Sequence, residues 1–270
     1  MEAERKLHRA SGAVRLTCRS EGKRSTLFRH YQKGSLKTLF PKSGNCHFDA
    51  VLLNTAGGVA DGDQFQVNLD VKNKAHMRVT SQAAERIYGA QGAAMGEMDI
   101  TASLADGARL DWLPQETILF DGGRLRRRLD ISMNETSELL CVEPLVFGRV
   151  AMGERIQSGF LSDQWRVKRG GKLVFADALR LSGRIDQYLQ DPAIGFGSGA
   201  MSSVLFISPQ AEMRLNRTRE ILSDQGGASL IRSGVLFARV MAQDSYLLRK
   251  TLIPLIEFLS DGPIPKTWSL

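Results

Sequence analysis

Between Phe65 and Phe175 apolar and polar positions alternate with a period of two. Phe65, Val67, Leu69 and Val71 are separated by Gln66, Asn68 and Asp70, which places four apolar side chains on one face of an extended strand. Turn dipeptides punctuate the region: Asp61-Gly62, Asn73-Lys74, Asp106-Gly107, Asp121-Gly122 and Gly170-Gly171. Four stretches share one grammar, an alternating strand, a two-residue turn and a second alternating strand. They run Leu69–Met77, Ala102–Leu110, Ile131–Leu139 and Trp165–Leu173, with starts spaced by 33, 29 and 34 residues. Each predicts a β-hairpin. A single hairpin cannot bury its apolar face, whereas hairpins stacked side by side can. An ordinary antiparallel sandwich produces the same alternation, so the pattern predicts an all-β region and leaves its stacking open.

After residue 200 the period lengthens. Ser208-Pro209 has the form of a helix cap with proline at the first helical position, and Ala211, Leu215, Thr218 and Leu222 follow at helical spacing. Gly226-Gly227 ends that run, and a short strand pair (230–232, 235–240) follows. A second helix is expected from Asp244, with Leu248, Leu252, Leu255 and Leu259 on one face and Pro254 as a kink or restart. The expected architecture is therefore one domain over 1–270, all-β dominant. Its β body covers about 12–207 and 228–241, and its two C-terminal helices about 208–224 and 244–260.

Composition adds a question about charge. The 270 residues carry a net +7, yet residues 1 to 44 hold eleven Lys and Arg against Glu2, Glu4 and Glu21, a net +8. The rest of the chain is close to neutral, so the basic character belongs to one segment. Phe28, Tyr31 and Phe40 lie among those basic residues, which keeps a nucleic-acid-binding module as an alternative, although no RNP-like or helix-turn-helix pattern is present. Three scattered cysteines, Cys18, Cys46 and Cys141, argue against a secreted disulfide framework. No apolar run has the form of a secretory signal or the ~18–20 residues of a membrane span, and a cytoplasmic location is expected.

Several chemistries are disfavoured by spacing. Gly57-Gly58-Val-Ala-Asp61-Gly62-Asp63 lacks the Gly-Lys-Ser/Thr ending of a phosphate loop and the ligand pattern of an EF-hand. Gly195-Phe-Gly197-Ser-Gly199 precedes a strand pattern, whereas a dinucleotide loop precedes a helix. His8, His30, His47 and His76 show no metal-binding spacing, and Cys46-His47 on a strand would face opposite ways. Ser81 and Ser198 have no histidine at a motif distance. Paired carboxylates, Glu85 with Glu116, leave an enzyme built on a β-helix as a further alternative. Two segments, Thr80–Tyr88 and Trp112–Gly122, mix polar, charged and aromatic groups between strands, as groups presented on a rigid scaffold do.

Trp112-Leu-Pro114-Gln115-Glu116-Thr117-Ile-Leu-Phe120 closely resembles the WLPQETI-F motif of the urease accessory protein UreD family, called UreH in some organisms. Gly57, Gly58, Gly62 and Asp63 match the family's PPGG…GGD segment, and Thr80, Ala84 and Tyr88 its TTPGA-K-YR segment. Gly148-Arg149, Ala151-Met-Gly153-Glu154 and Arg180-Leu-Ser-Gly183 match later runs. The chain departs from the family at Asn54-Thr55-Ala56, where His-Pro-Pro is usual, and at Gln82-Ala83-Ala84, where Pro-Gly-Ala is usual.

The resemblance implies a β-helical scaffold of stacked strands with two helices and no catalysis of its own. It implies binding to apo-urease and to a UreF-type protein, which recruits a UreG-type GTPase, and nickel passing in transit with no tightly bound cofactor. Passage requires ligands that release the ion, and oxygen donors do so better than Cys or His. The acidic groups in or beside the motifs are Asp61, Asp63, Glu85, Glu116, Asp121 and Glu143, and the nickel path is expected among them. Asp61 and Asp121 also have the form of turn residues. The two helices are the expected contact for the UreF-type protein, and the basic segment is a candidate docking edge for an acidic surface.

Overall fold

Between residues 48 and 169 the chain passes back and forth between two sheets. The structure, a computed structural model, describes residues 9–42, 44, 46–89, 94–149 and 152–269. Arg5, Lys6 and His8 of the basic segment, and Ala151 of the family motif, lie outside the described residues. In chain order the first strands are β1 (Ser11–Glu21), β2 (Arg24–Gly34), β3 (Leu36–Leu39), β4 (Phe48–Asn54) and β5 (Gln64–Val71). Next come β6 (His76–Ser81), β7 (Glu85–Ile87), β8 (Gly96–Leu104), β9 (Arg109–Leu113) and β10 (Thr117–Leu119). The stack continues with β11 (Arg124–Met133), β12 (Glu138–Phe147), β13 (Phe160–Arg169) and β14 (Lys172–Ser182). It ends with α1 (Ile185–Gln190), β15 (Ala200–Ile207), α2 (Ala211–Leu222), β16 (Gly226–Arg232), β17 (Val235–Ala242) and α3 (Ser245–Ser260).

The first sheet has seven strands in the order β14-β13-β11-β8-β5-β1-β2. Its five inner strands run parallel, and only β2 and β14 are antiparallel to their neighbours. The second sheet follows β16-β17-β15-β12-β9-β6-β4-β3, with β4, β6, β9 and β12 parallel. The fold is thus a solenoid-like stack, and the expected hairpins need correction. Only Trp165–Leu173 forms one, within the β13–β14 pair. In the other three stretches the two-residue turn carries the chain from the first sheet to the second, so the flanking strands face each other across the core.

The reason lies in the corners. Ala75, Ala108 and Ser137 each donate to the carbonyl three residues back, at 3.0, 3.0 and 3.2 Å, closing a turn at each rung. Adjacent corners then bond to one another: Ala105 N to Val71 O, Asn134 N to Leu104 O, and Lys74 N to Asp106 O, each at 2.9 or 3.0 Å. A hairpin would have spent those groups within one rung; here they tie rung to rung. In register, Leu69, Ala102 and Ile131 stack in the first sheet and Met77, Leu110 and Leu139 in the second. At the next rung Ile131 meets Val167, so the Trp165 alignment is two residues out.

The two sheets differ in what covers them. The first keeps an exposed outer face, and β11 alternates accordingly as Arg-Leu-Arg-Arg-Arg-Leu-Asp-Ile-Ser-Met. The second is covered by α2 and α3, so β12 is almost continuously apolar and buried. Leu248, Leu252, Leu255, Ile256 and Leu259 of α3 are all buried in that layer. On their outer side the helices therefore expose Met213 and Tyr246, 77% and 72% accessible, and not these leucines. α2 starts at Ala211, later than expected, because the Ser208 hydroxyl donates to Glu138 and accepts only from Gln210 N. A 3-10 turn over Ser223–Gln225 ends it before Gly226 opens β16. α3 continues through Pro254 without a break, capped by Asp244 accepting from Leu247 N at 2.8 Å. The short helix α1 was not legible in the spacing.

The end of α3 is held by charges from the second sheet. Arg109 donates to Leu259 O at 3.3 Å and Arg78 to Pro263 O at 2.7 Å. Buried Asp111 orients Arg109 (2.9 Å) and meets His76 (2.7 Å). Burial works against the Asp111 charge, yet His76 and Arg109 outweigh it and hold the carboxyl down to about 2. A depressed folded pKa adds stability above the unfolded value that disappears as pH falls through the folded one. Asp111→Asn is expected to lose roughly 2 kcal/mol at pH 7. Urea midpoints at several pH values check it: the gap between variant and parent should close as pH falls from about 4 toward 2.

Candidate functional site

The three motif segments occupy successive rungs at one corner of the stack. Val59 bridges Ile87 in parallel, Ile87 pairs with Leu119, and Leu119 pairs with Phe147. Main-chain bonds join the same rungs, from Glu85 N to Glu116 O at 2.8 Å and from Val59 N to Arg86 O at 2.7 Å. Segments some thirty residues apart in sequence are therefore neighbours.

Packing explains several motif residues. At Gly58, with φ +155°, a Cβ would fall 2.4 Å from the Tyr88 ring, so the glycine makes room for that ring. The Tyr88 hydroxyl donates to Gly57 O at 2.9 Å, and its ring meets Phe120 edge-on at 5.4 Å. Gln115 and Glu116 both accept from Arg249 of α3, with Arg249 also donating to Trp268 O at 3.1 Å. Trp268 in turn donates to Leu113 O at 3.0 Å. This half of the motif seats the C-terminal segment.

The six acidic candidates separate by what they touch. Asp63 is saturated by main chain: its two oxygens accept from Ala10 N at 2.7 Å and Ala60 N at 2.8 Å. Asp121 accepts from Ser158 N at 2.8 Å and braces a turn beside Gly122. Asp61 is buried in the turn before Gly62. Glu116 is committed to Arg249. Glu85 and Glu143 remain, and both line one cavity of about 180 Å³. That cavity also touches exposed Gly57, Gln82 and Ala83 at its outer end, and buried Trp112 and Arg127 at its inner end. Glu85 and Glu116 do not form a facing pair: their rungs stack, but one side chain turns to the cavity and the other to α3.

Inside, Arg127 is 2% exposed and binds two carboxylates. It donates to Asp163 at 3.0 and 2.6 Å, to Glu143 at 2.5 Å and to the Thr117 hydroxyl at 3.1 Å. Trp112 Nε1 donates to the other Glu143 oxygen at 2.6 Å. Burial pushes Glu143 up to about 6, with Arg127 opposing, Asp163 adding and Trp112 opposing. Burial likewise pushes Glu85 up to about 7, against hydrogen bonds from the Asn54 amide (3.1 Å) and the Arg86 main chain. Asn54, the departure from the family's histidine, is thus a direct partner of Glu85. Trp112, Thr117 and Glu143 were among the sequence candidates; Arg127, Asp163 and Asn54 as partners were not, because no spacing links them.

The remaining sequence signals fall elsewhere. Phe28 and Tyr31 are exposed on the first sheet, while Phe40 packs against His30 and Phe48. His47 precedes β4, so the strand reading of Cys46-His47 does not apply to it, and its ring lies 5.1 Å from that of His76. Among the described residues no group of three or more His, Cys, Asp and Glu side chains is arranged to hold a metal ion, and no helix is long and apolar enough to cross a membrane.

A raised carboxyl pKa makes the folded state bind protons that the unfolded chain has lost. Stability at Glu85 is therefore present below the unfolded value near 4.5 and declines as pH rises through about 7. Glu85→Gln keeps the acceptor for Asn54 and removes the charge. It is expected to be more stable than the parent at pH 8, by on the order of 2 kcal/mol, and equal to it below pH ~4.5. Thermal or urea unfolding across that range measures the difference.

Comparison with known proteins agrees with the motif geometry. A model of the family described as UreD urease accessory protein matches residues 10–269. A urease accessory protein UreD of Ruegeria pomeroyi is 44% identical, with 95% of this chain and 100% of the relative covered. The UreD of Roseobacter denitrificans is 38% identical over 97% and 96% of the two chains. That of Brucella suis is 40% identical over 98% and 96%. With these relatives aligned from end to end and the family motifs stacked at one corner, the chain belongs to the UreD family of urease accessory proteins.

Proposed function

We propose that this chain is a non-catalytic scaffold in urease maturation. It binds apo-urease and a UreF-type accessory protein, meets a UreG-type GTPase through the latter, and passes nickel to the urease active site along the cavity between Glu85 and Glu143, in the cytoplasm. The observation that carries the reading is that two carboxyl groups from separate rungs line one cavity leading from an exposed corner to the buried core. Oxygen donors suit a divalent ion that must leave again, since imidazole and thiolate hold nickel more tightly. Arg127 and Asp163 are positioned to keep Glu143 oriented and to limit how much positive charge its end of the cavity tolerates. The outer surface of α2 and α3, with Met213 and Tyr246, is the surface assigned to the UreF-type partner, because it stands free of the covering layer.

Urease expressed with its accessory proteins and either Glu85→Gln or Glu143→Gln should carry about tenfold less nickel per active site, with co-purification of the chain and apo-urease retained. Metal analysis of purified urease reads the first quantity and pull-down the second. Full nickel loading with the double variant would sink the cavity path. Full loading in cells lacking the chain would sink the maturation role.

A further inference from the structure

The first rung of the stack ends in an open edge. Among the described residues β2 pairs with β1 alone, antiparallel over Arg24–Gly34, while the strands inside the sheet have neighbours on both sides. After Ser25, whose N–H donates to Cys46 O at 2.7 Å, no main-chain hydrogen bond leaves the free side of β2 among the described residues. An unpaired strand edge of this length is a template for another polypeptide.

Charge and exposed rings concentrate at the same edge. Residues 9–42 hold nine Lys and Arg against Glu21 alone, more net positive charge than the whole chain carries. Register sets Arg15 opposite Tyr31, Thr17 opposite Arg29 and Ala13 opposite Lys33, which puts these side chains on the outer face, away from buried Val14, Leu16 and Cys18. There Arg19 and Arg29 lie 4.5 and 5.3 Å from the Phe28 ring centre, and Arg15 lies 5.4 Å from that of Tyr31. Phe28 is 44% exposed and Tyr31 47%. Lysine and arginine alone would serve to keep a free edge from aggregating. Exposed rings beside it work against that purpose, and they are what a partner's apolar residues would cover.

The occupant follows from the chemistry of the edge. A nucleic acid would find the charge and the rings, but it has no main chain to pair with a row of N–H and C=O groups. A polypeptide satisfies all three. We propose that β2 is the docking edge for an acidic, extended segment of a protein partner, which adds to the first sheet as a further strand, its carboxylates beside Arg29 and Lys33 and its apolar side chains over Phe28 and Tyr31. This site stands apart from the cavity of Glu85 and Glu143 and does not depend on what passes through it.

The test uses the full chain and three labelled probes: a decapeptide with glutamate and valine in turn at every second position and threonine between them, so that both share one strand face, its counterpart with lysine for glutamate, and a single-stranded thymidine oligonucleotide of matching charge. Fluorescence anisotropy should show binding of the acidic peptide, none of the basic one, and clear weakening between low salt and about 0.3 M. Arg29→Glu with Lys33→Glu should weaken the peptide by at least about tenfold, and Phe28→Ser with Tyr31→Ser by a comparable factor. Hydrogen exchange should slow at amides within 26–34 when the peptide binds, which strand addition requires and charge attraction alone does not. The proposal is overturned by failure of the peptide to bind, or by undiminished binding to the folded charge-reversal variant. It is equally overturned by unchanged exchange in β2, by pairing of β2 with a second copy of the chain, or by binding of the oligonucleotide in place of the peptide.

Discussion

The continuous ladder of main-chain hydrogen bonds, running through the first sheet, around the turn corners and into the second, is the constraint on which the remaining structure rests. Because corners such as Lys74–Asp106 and Ala105–Val71 bond from rung to rung, no rung can slip without breaking bonds in both sheets. The core then follows. Leu69, Ala102 and Ile131 must meet Met77, Leu110 and Leu139 across the interior, and each fully buried leucine or isoleucine contributes on the order of 2 kcal/mol. The same ladder brings Gly57–Asp63, Glu85–Tyr88 and Trp112–Phe120 to one corner.

A stack this regular has little natural reason to bury charge, which makes its interior carboxylates informative. Arg127 offsets part of the desolvation of Glu143 and Asp163, but one cation facing two anions leaves the cluster short of positive charge. That imbalance, added to burial, is what lifts the Glu143 carboxyl. Glu85 reaches a similar condition without a cation in contact, held by an amide and a main-chain N–H. By contrast Asp63 has spent both oxygens on backbone N–H groups, Asp121 accepts from Ser158 N, and Glu116 is taken by Arg249. Acidic residues of equal promise in the motifs are thus divided by their hydrogen-bond partners into those that hold the fold and those that face a cavity.

The ends and faces of the stack are finished differently. Helices cover the second sheet and use their leucines to do so, which removes those side chains from any outside contact. The first sheet keeps a polar outer face, and its basic β2 edge has no further strand paired to it among the described residues. Exposed apolar side chains are therefore distributed around the scaffold: Met213 and Tyr246 on one side, the arginine-flanked Phe28 and Tyr31 on the other.

By itself the sequence determined which residues turn inward, where the chain bends and where helices replace strands, because side-chain alternation, turn dipeptides and caps are local and each has a local physical cause. The alignment of Leu69, Ala102 and Ile131 came directly from that periodicity, and the WLPQET segment carried the family. Tertiary structure alone decided whether a turn folds back on its own sheet or crosses to the other, since both choices leave the same face apolar and differ only in the hydrogen-bond partner. It alone decided that Trp165 stacks two residues away from its apparent equivalent, because β13 turns back into β14 within its own sheet and makes no corner to the other sheet that would set the register. And it alone joined Glu85 to Asn54 and Glu143 to Arg127 and Trp112, contacts made across rungs, where separation along the chain carries no information about distance in space.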